Sequence, residues 1–102
     1  MALVPLVEEA TATGVVAEVF DDIRTSRNLA KVPNFWRAIA HYPDYLRSEW
    51  SKLRTILETG TIDRKTKEMI AVAVSATNSC DYCIRSHTDA LRALGATDAE
   101  IV

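Results

Sequence analysis

Three consecutive residues, Thr77-Asn78-Ser79, favour turns and caps over helix interiors, and they interrupt what would otherwise read as one long helical pattern. Upstream, Asp63 is a suitable N-cap, and the run from Arg64 to Ala76 becomes apolar on nearly all sides through Met69, Ile70, Ala71, Val72, Ala73 and Val74. A helix apolar all round is normally a buried one. Downstream, Ser79 can cap a second helix over Cys80 to Leu94, which Gly95 stops. A sharp reversal at the break predicts two antiparallel helices as the centre of the fold.

The rest of the chain repeats the helical theme. Three glycines and three prolines are spread over 102 residues, none of them inside a strong periodic segment. Val15, Val16, Val19, Phe20 and Ile23 share one face of a helix over residues 13–27. Val32-Pro33-Asn34 breaks the chain before a short helix bearing Phe35, Trp36, Ile39 and Ala40. Pro43 can open the next helix, where its missing N–H costs nothing; that helix carries Tyr45, Leu46, Trp50, Leu53, Ile56 and Leu57 and ends near Gly60. Thr97-Asp98-Ala99-Glu100 fits a capping box, and the chain stops two residues later. A helix start with almost nothing behind it points either to a stub or to a truncated C-terminus. The expectation is an all-α single domain over residues 1–102.

Composition narrows the function. A net charge of −2, with basic residues scattered among acids, offers no phosphate-binding stripe and argues against nucleic acid as a partner. The apolar run at residues 69–76 is too short to span a bilayer, and the N-terminus lacks the pattern of a secretion signal. A cytoplasmic protein with reduced thiols is expected, and there a close cysteine pair is more often catalytic or metal-binding than structural. A chain of this size would keep about 5,700 Å² of accessible surface, so its core is modest and self-association is a natural way to bury more. The aromatic residues Phe35, Trp36, Tyr42, Tyr45 and Trp50 read as core and subunit-interface residues. His41 reads as a surface or cap residue without a role, and Arg64, Lys65 and Lys67 as a solvated first turn.

The two cysteines of the chain, Cys80 and Cys83, stand three apart, with His87 four residues beyond. At i, i+3 and i+7 all three share one helix face. Cys80 would occupy the first helical position, where the macrodipole favours a thiolate. Glu68 lies about as far before the break as His87 lies after it, so in an antiparallel pair the two sit within about one turn at ~1.5 Å rise per residue. Taken alone, Glu68 is a solvated first-turn acid and His87 an ordinary helix histidine. Together with the thiols they fit the nucleophile, base and orienter arrangement of an activated cysteine. Dipole position favours Cys80 as the more acidic thiol, and proximity to His87 favours Cys83. Two blander readings stand beside this one: a pair of small core residues, or a zinc site built from Cys80, Cys83, His87 and Glu68. Against zinc, three of the ligands would share one helix across about 10 Å.

The pattern E-x11-C-x-x-C-x-x-x-H, as Glu68, Cys80, Cys83 and His87, resembles the alkylhydroperoxidase D-like branch of the carboxymuconolactone decarboxylase family. The segment 64-RKTKEMIAVAVSATNSCDYCIRSH-87 is similar to that family's core, and VPNFWRAIAHYPDYL to its peroxidase-related subgroup; the likeness covers roughly residues 30–97. It implies a helical homo-oligomer, trimer or hexamer, that reduces hydroperoxides and is restored by an external dithiol or thiol protein. By the same resemblance Cys83 attacks the peroxide, Cys80 resolves the product, and His87 with Glu68 relays protons, with no metal, haem or flavin cofactor. Some members carry a second histidine between the cysteines, where this chain has Tyr82; a redox-sensing member with little turnover is the alternative. Members that are decarboxylases lack the cysteine pair.

Overall fold

The computed structural model describes residues 3–102. Among them there are six α-helices and no strand: α1 (Gly14–Arg27), α2 (Asn34–Ile39), α3 (Pro43–Glu58), α4 (Arg64–Thr77), α5 (Asp81–Ala93) and α6 (Asp98–Ile101). None is long and apolar enough to cross a membrane. The chain divides into two compact units, residues 1–53 and 54–102, with the division inside α3.

The first unit holds the hydrophobic core. Val16, Val19, Phe20 and Ile23 of α1 are buried with Val32, Trp36, Ala40, Leu46 and Trp50. The helical spacing of the α1 residues selects this face. Trp36 and Trp50 meet edge to face with ring centroids 5.3 Å apart, and the indole N–H of Trp50 donates to Asp22 Oδ2 at 2.6 Å, giving a buried ring its polar partner. Tyr42 and Tyr45, by contrast, are exposed.

The segment before α1, which carries no periodic signal, is tied down by polar contacts. The Val7 N–H donates to the Arg37 carbonyl at 3.2 Å, and Arg37 Nε donates back to the Val7 carbonyl at 2.9 Å. Glu9 accepts from Arg24 at 2.6 Å and from the Val32 N–H at 3.1 Å. His41, on the surface, meets the Pro5 carbonyl.

The second unit is built differently. Its buried side chains are few: Leu57, Leu91, Glu68 and Ser75, two of them polar. Asp63 caps α4, accepting from the Thr66 N–H at 2.8 Å and the Thr66 hydroxyl at 3.1 Å; these two donors hold its carboxyl below the usual range. The Lys67 ammonium reaches the Ile56 and Thr59 carbonyls at the end of α3, where a cation complements the orphan acceptors. Gly95, at φ 86°, ends α5 in a Schellman motif, with Ala96 N–H bonded to the Leu91 carbonyl and Gly95 N–H to that of Arg92. The capping box at Thr97 and Glu100 forms in full. Lys65 pairs with Glu100 at 2.8 Å and, with the Thr97 N–H, holds that carboxyl down at about 2.

In the single chain one helix keeps an uncovered apolar face. α4 is not buried on all sides: Ile70 is 52% exposed and Val74 54%, while its buried members are Glu68 and Ser75. The helix packs against α5, and Ile70 and Val74 of its apolar run stay outward in the single chain.

Candidate active site at the α4–α5 corner

Two helices meeting with almost no loop need a residue that reverses the chain. Ser79 does this in the left-handed region, at φ 54°. The Ser79 N–H bonds to the Ala76 carbonyl at 3.1 Å and the Cys80 N–H to that of Ser75 at 3.0 Å, which is the Schellman pattern closing α4. Sequence alone assigns the next cap to Ser79; the structure moves it on by one. Cys80 is the N-cap of α5, and its Sγ accepts from the Cys83 N–H at 3.3 Å. The reason is positional: once residue 79 is used for the reversal, the first residue with extended backbone is residue 80. Cys80 thus ends one helix with its amide and starts the next with its sulfur.

Ser79 carries a Cβ in a region that costs L residues roughly 1–2 kcal/mol. A Ser79→Gly variant is therefore expected to gain about 0.5–1 kcal/mol, after the extra freedom glycine brings to the unfolded chain. The thermal midpoint in a melt should rise by a few degrees; an unchanged or lowered midpoint would show that the turn is not strained.

Cys80 and Cys83 are joined as a disulfide, with Cα atoms 5.3 Å apart. Both side chains are partly exposed. One turn further along α5 stands His87. Its Nδ1 lies 2.6 Å from Glu68 Oε2 on α4, so the antiparallel pairing expected from the spacing brings these two together. Glu68 is fully buried, at 0% exposure, and the His87 side chain is 18% exposed. A carboxylate only accepts, so Nδ1 carries the hydrogen, and in the neutral imidazole Nε2 is left with the lone pair. A carboxylate held away from water in this way orients the ring and fixes which nitrogen faces away from it.

Sequence reasoning left out one participant. Arg64, read as part of a solvated turn, lies 3.4 Å through Nε from Glu68 Oε1. Its i, i+4 spacing to Glu68 was the available signal. Arg64 also lies 3.9 Å from Glu58, which pairs with Arg54 at 3.0 Å. The zinc arrangement weighed from the sequence is not what this geometry assembles. The two sulfurs bond each other, Nδ1 faces a carboxylate, and among the described residues no three His, Cys, Asp or Glu side chains gather around one point.

The sequence profile of the carboxymuconolactone decarboxylase family matches residues 43–102, a span that holds the whole corner and the cysteine pair. The chain belongs to this family. Within it, the solved alkylhydroperoxidase AhpD core from Rhodospirillum rubrum superimposes with a TM-score of 0.88 and 44% identity, covering 98% of this chain and 76% of that one. An alkyl hydroperoxide reductase of Mycobacterium tuberculosis is 36% identical over 87 residues, 85% of this chain and 25% of that protein. An (R)-2-haloacid dehalogenase of Pseudomonas putida is 29% identical over 96 residues, 93% of this chain and 32% of that protein. The chain thus spans about a quarter of one curated relative and a third of the other. The all-helical, alkylhydroperoxidase D-like fold read from the sequence is the fold of the structure.

Proposed function

We propose that the chain is a thiol-dependent hydroperoxide reductase that cycles between the Cys80–Cys83 dithiol and disulfide. The observation carrying this reading is the contact of His87 Nδ1 with the buried Glu68 at 2.6 Å, one turn along the helix from the cysteine pair. The likeness to proteins named for hydroperoxide chemistry supports it.

In the reduced protein His87 Nε2 takes the thiol proton of Cys83, with Glu68 favouring the imidazolium that results. The Cys83 thiolate attacks the terminal oxygen of the hydroperoxide. The O–O bond breaks, Cys83 becomes a sulfenic acid, and the alkoxide leaves as an alcohol with the proton returned by His87. The Cys80 thiol then condenses with the sulfenic acid, forming the disulfide and releasing water. An external dithiol reopens it by exchange, attacking one sulfur and leaving with a disulfide of its own. Two electrons pass from dithiol to peroxide in each cycle, and no metal, haem or flavin takes part.

The same reading makes the chain a homo-oligomer, trimer or hexamer, assembled over the exposed Ile70 and Val74 face of α4, and places it in a compartment that keeps thiols reduced. Wild-type protein with dihydrolipoamide and an alkyl hydroperoxide is expected to consume peroxide well above the dithiol alone; a rate equal to that background would remove the enzymatic reading. Light scattering should show a multiple of the 11.3 kDa chain at micromolar concentration, and a stable monomer would remove the assembly.

A further inference from the structure

A carboxylate with no exposure needs compensating charge, and among the groups that reach Glu68 are two from different elements. His87 comes from α5 at Oε2, and Arg64 comes from the first turn of α4 itself at Oε1. Behind Arg64 stands Glu58 of α3, itself paired with Arg54. Charges therefore alternate from the surface inward as Arg54, Glu58, Arg64, Glu68, ending at His87. An exposed i, i+4 pair would contribute little, but here the acceptor is fully buried, so the partner matters more.

We propose that Arg64 is a positioning residue that sets the number of protons held by the Glu68–His87 pair. This rests on the acid–base reading of that pair given above. With the guanidinium in place, Glu68 is balanced while His87 is neutral, and Nε2 keeps the lone pair needed to accept a thiol proton. Without it, the buried negative charge is most cheaply balanced by a second proton on the imidazole. His87 then rests as an imidazolium, and Nε2 is blocked. Arg64 touches neither sulfur nor peroxide; it acts through Glu68. The direction of the effect does not depend on which of the two groups holds the extra proton, because removing a nearby cation raises the proton affinity of the coupled pair as a whole.

The test is an NMR titration of the imidazole signals in the reduced full-length protein, comparing wild type, Arg64→Gln and Arg64→Lys. The chain has two histidines; His87→Ala assigns their signals, and His41 serves as the internal control. Arg64→Gln is expected to raise the His87 midpoint by about one pH unit, the scale of one partly screened charge at this range. Arg64→Lys should restore it, and His41 should not move. An unmoved His87 midpoint in Arg64→Gln overturns the proposal. So does an equal shift in Arg64→Lys, which would assign the effect to guanidinium shape, and so does a matching shift of His41, which would assign it to a general change in the fold. The titration needs no peroxide turnover, so a failure here is distinct from a failure of the reductase reading.

Discussion

Cys83→Ser should consume hydroperoxide no faster than the dithiol reductant alone, a loss of at least about a thousandfold, the scale on which removal of a covalent nucleophile abolishes catalysis. Cys80→Ser should behave differently. Its Cys83 thiol remains one helical turn from His87, so it should react once per chain and stop at a sulfenic acid that dimedone can trap. The contrast decides a point on which the local physics pulls both ways. Cys80 Sγ already accepts the Cys83 N–H at 3.3 Å, a donor that stabilises a thiolate at Cys80. Against this, the imidazole, whose ring is set by Glu68, stands four residues from Cys83. A general base contributes typically 10²–10⁴-fold, whereas the dipole at a helix start contributes about 0.3–1 kcal/mol. The base is the larger effect. If dimedone labels Cys83→Ser and leaves Cys80→Ser untouched, the order of the two cysteines is reversed.

Glu68 carries the second large effect, and two variants separate its parts. Glu68→Ala removes the buried partner of both His87 and Arg64. Breaking a fully buried ion pair typically costs 3–5 kcal/mol; His87 and Arg64 remain partly in water, so about 2–3 kcal/mol is expected here. Glu68→Gln keeps the volume and an oxygen for the Nδ1–H, and should lose less stability. Both should lower peroxide turnover by about 10²-fold, because neither alanine nor an amide carries the charge that favours the imidazolium. Denaturant unfolding and coupled peroxide assays measure the two effects independently. Wild-type turnover in Glu68→Gln would reduce Glu68 to a steric support for the ring.

Much of this corner is legible in the sequence, because the features that build it are local. Asp63 before a helical run and Thr97 with Glu100 three residues on satisfy orphan backbone groups with their own neighbours, Pro43 at a first turn removes one such donor, and the structure places them so. The approach of Glu68 to His87 follows from similar distances either side of one break.

Other features required knowledge of which conformation a single residue takes. Serine is a better cap than cysteine in isolation, so residue 79 is the natural choice. The left-handed backbone at Ser79 is a property of the reversal, visible only once α4 has ended at Thr77. The outward face of α4 escaped for another reason. An apolar pattern reports that a helix is covered, not by what, and Ile70 and Val74 are left about half exposed in the single chain. Arg64 was hidden by its neighbours Lys65 and Lys67, whose reach to Glu100 and to the α3 carbonyls gives the same basic appearance with different partners.

The seat of Cys80 has one more consequence. Its architectural duties are a backbone amide, which any residue but proline supplies, and an acceptor atom for one N–H, which serine, asparagine, aspartate or threonine supply as well or better. The bend between α4 and α5 is therefore indifferent to sulfur. A lineage that gave up electron transfer at this position could keep its scaffold intact, so the bend and the reactivity are free to drift apart in descent.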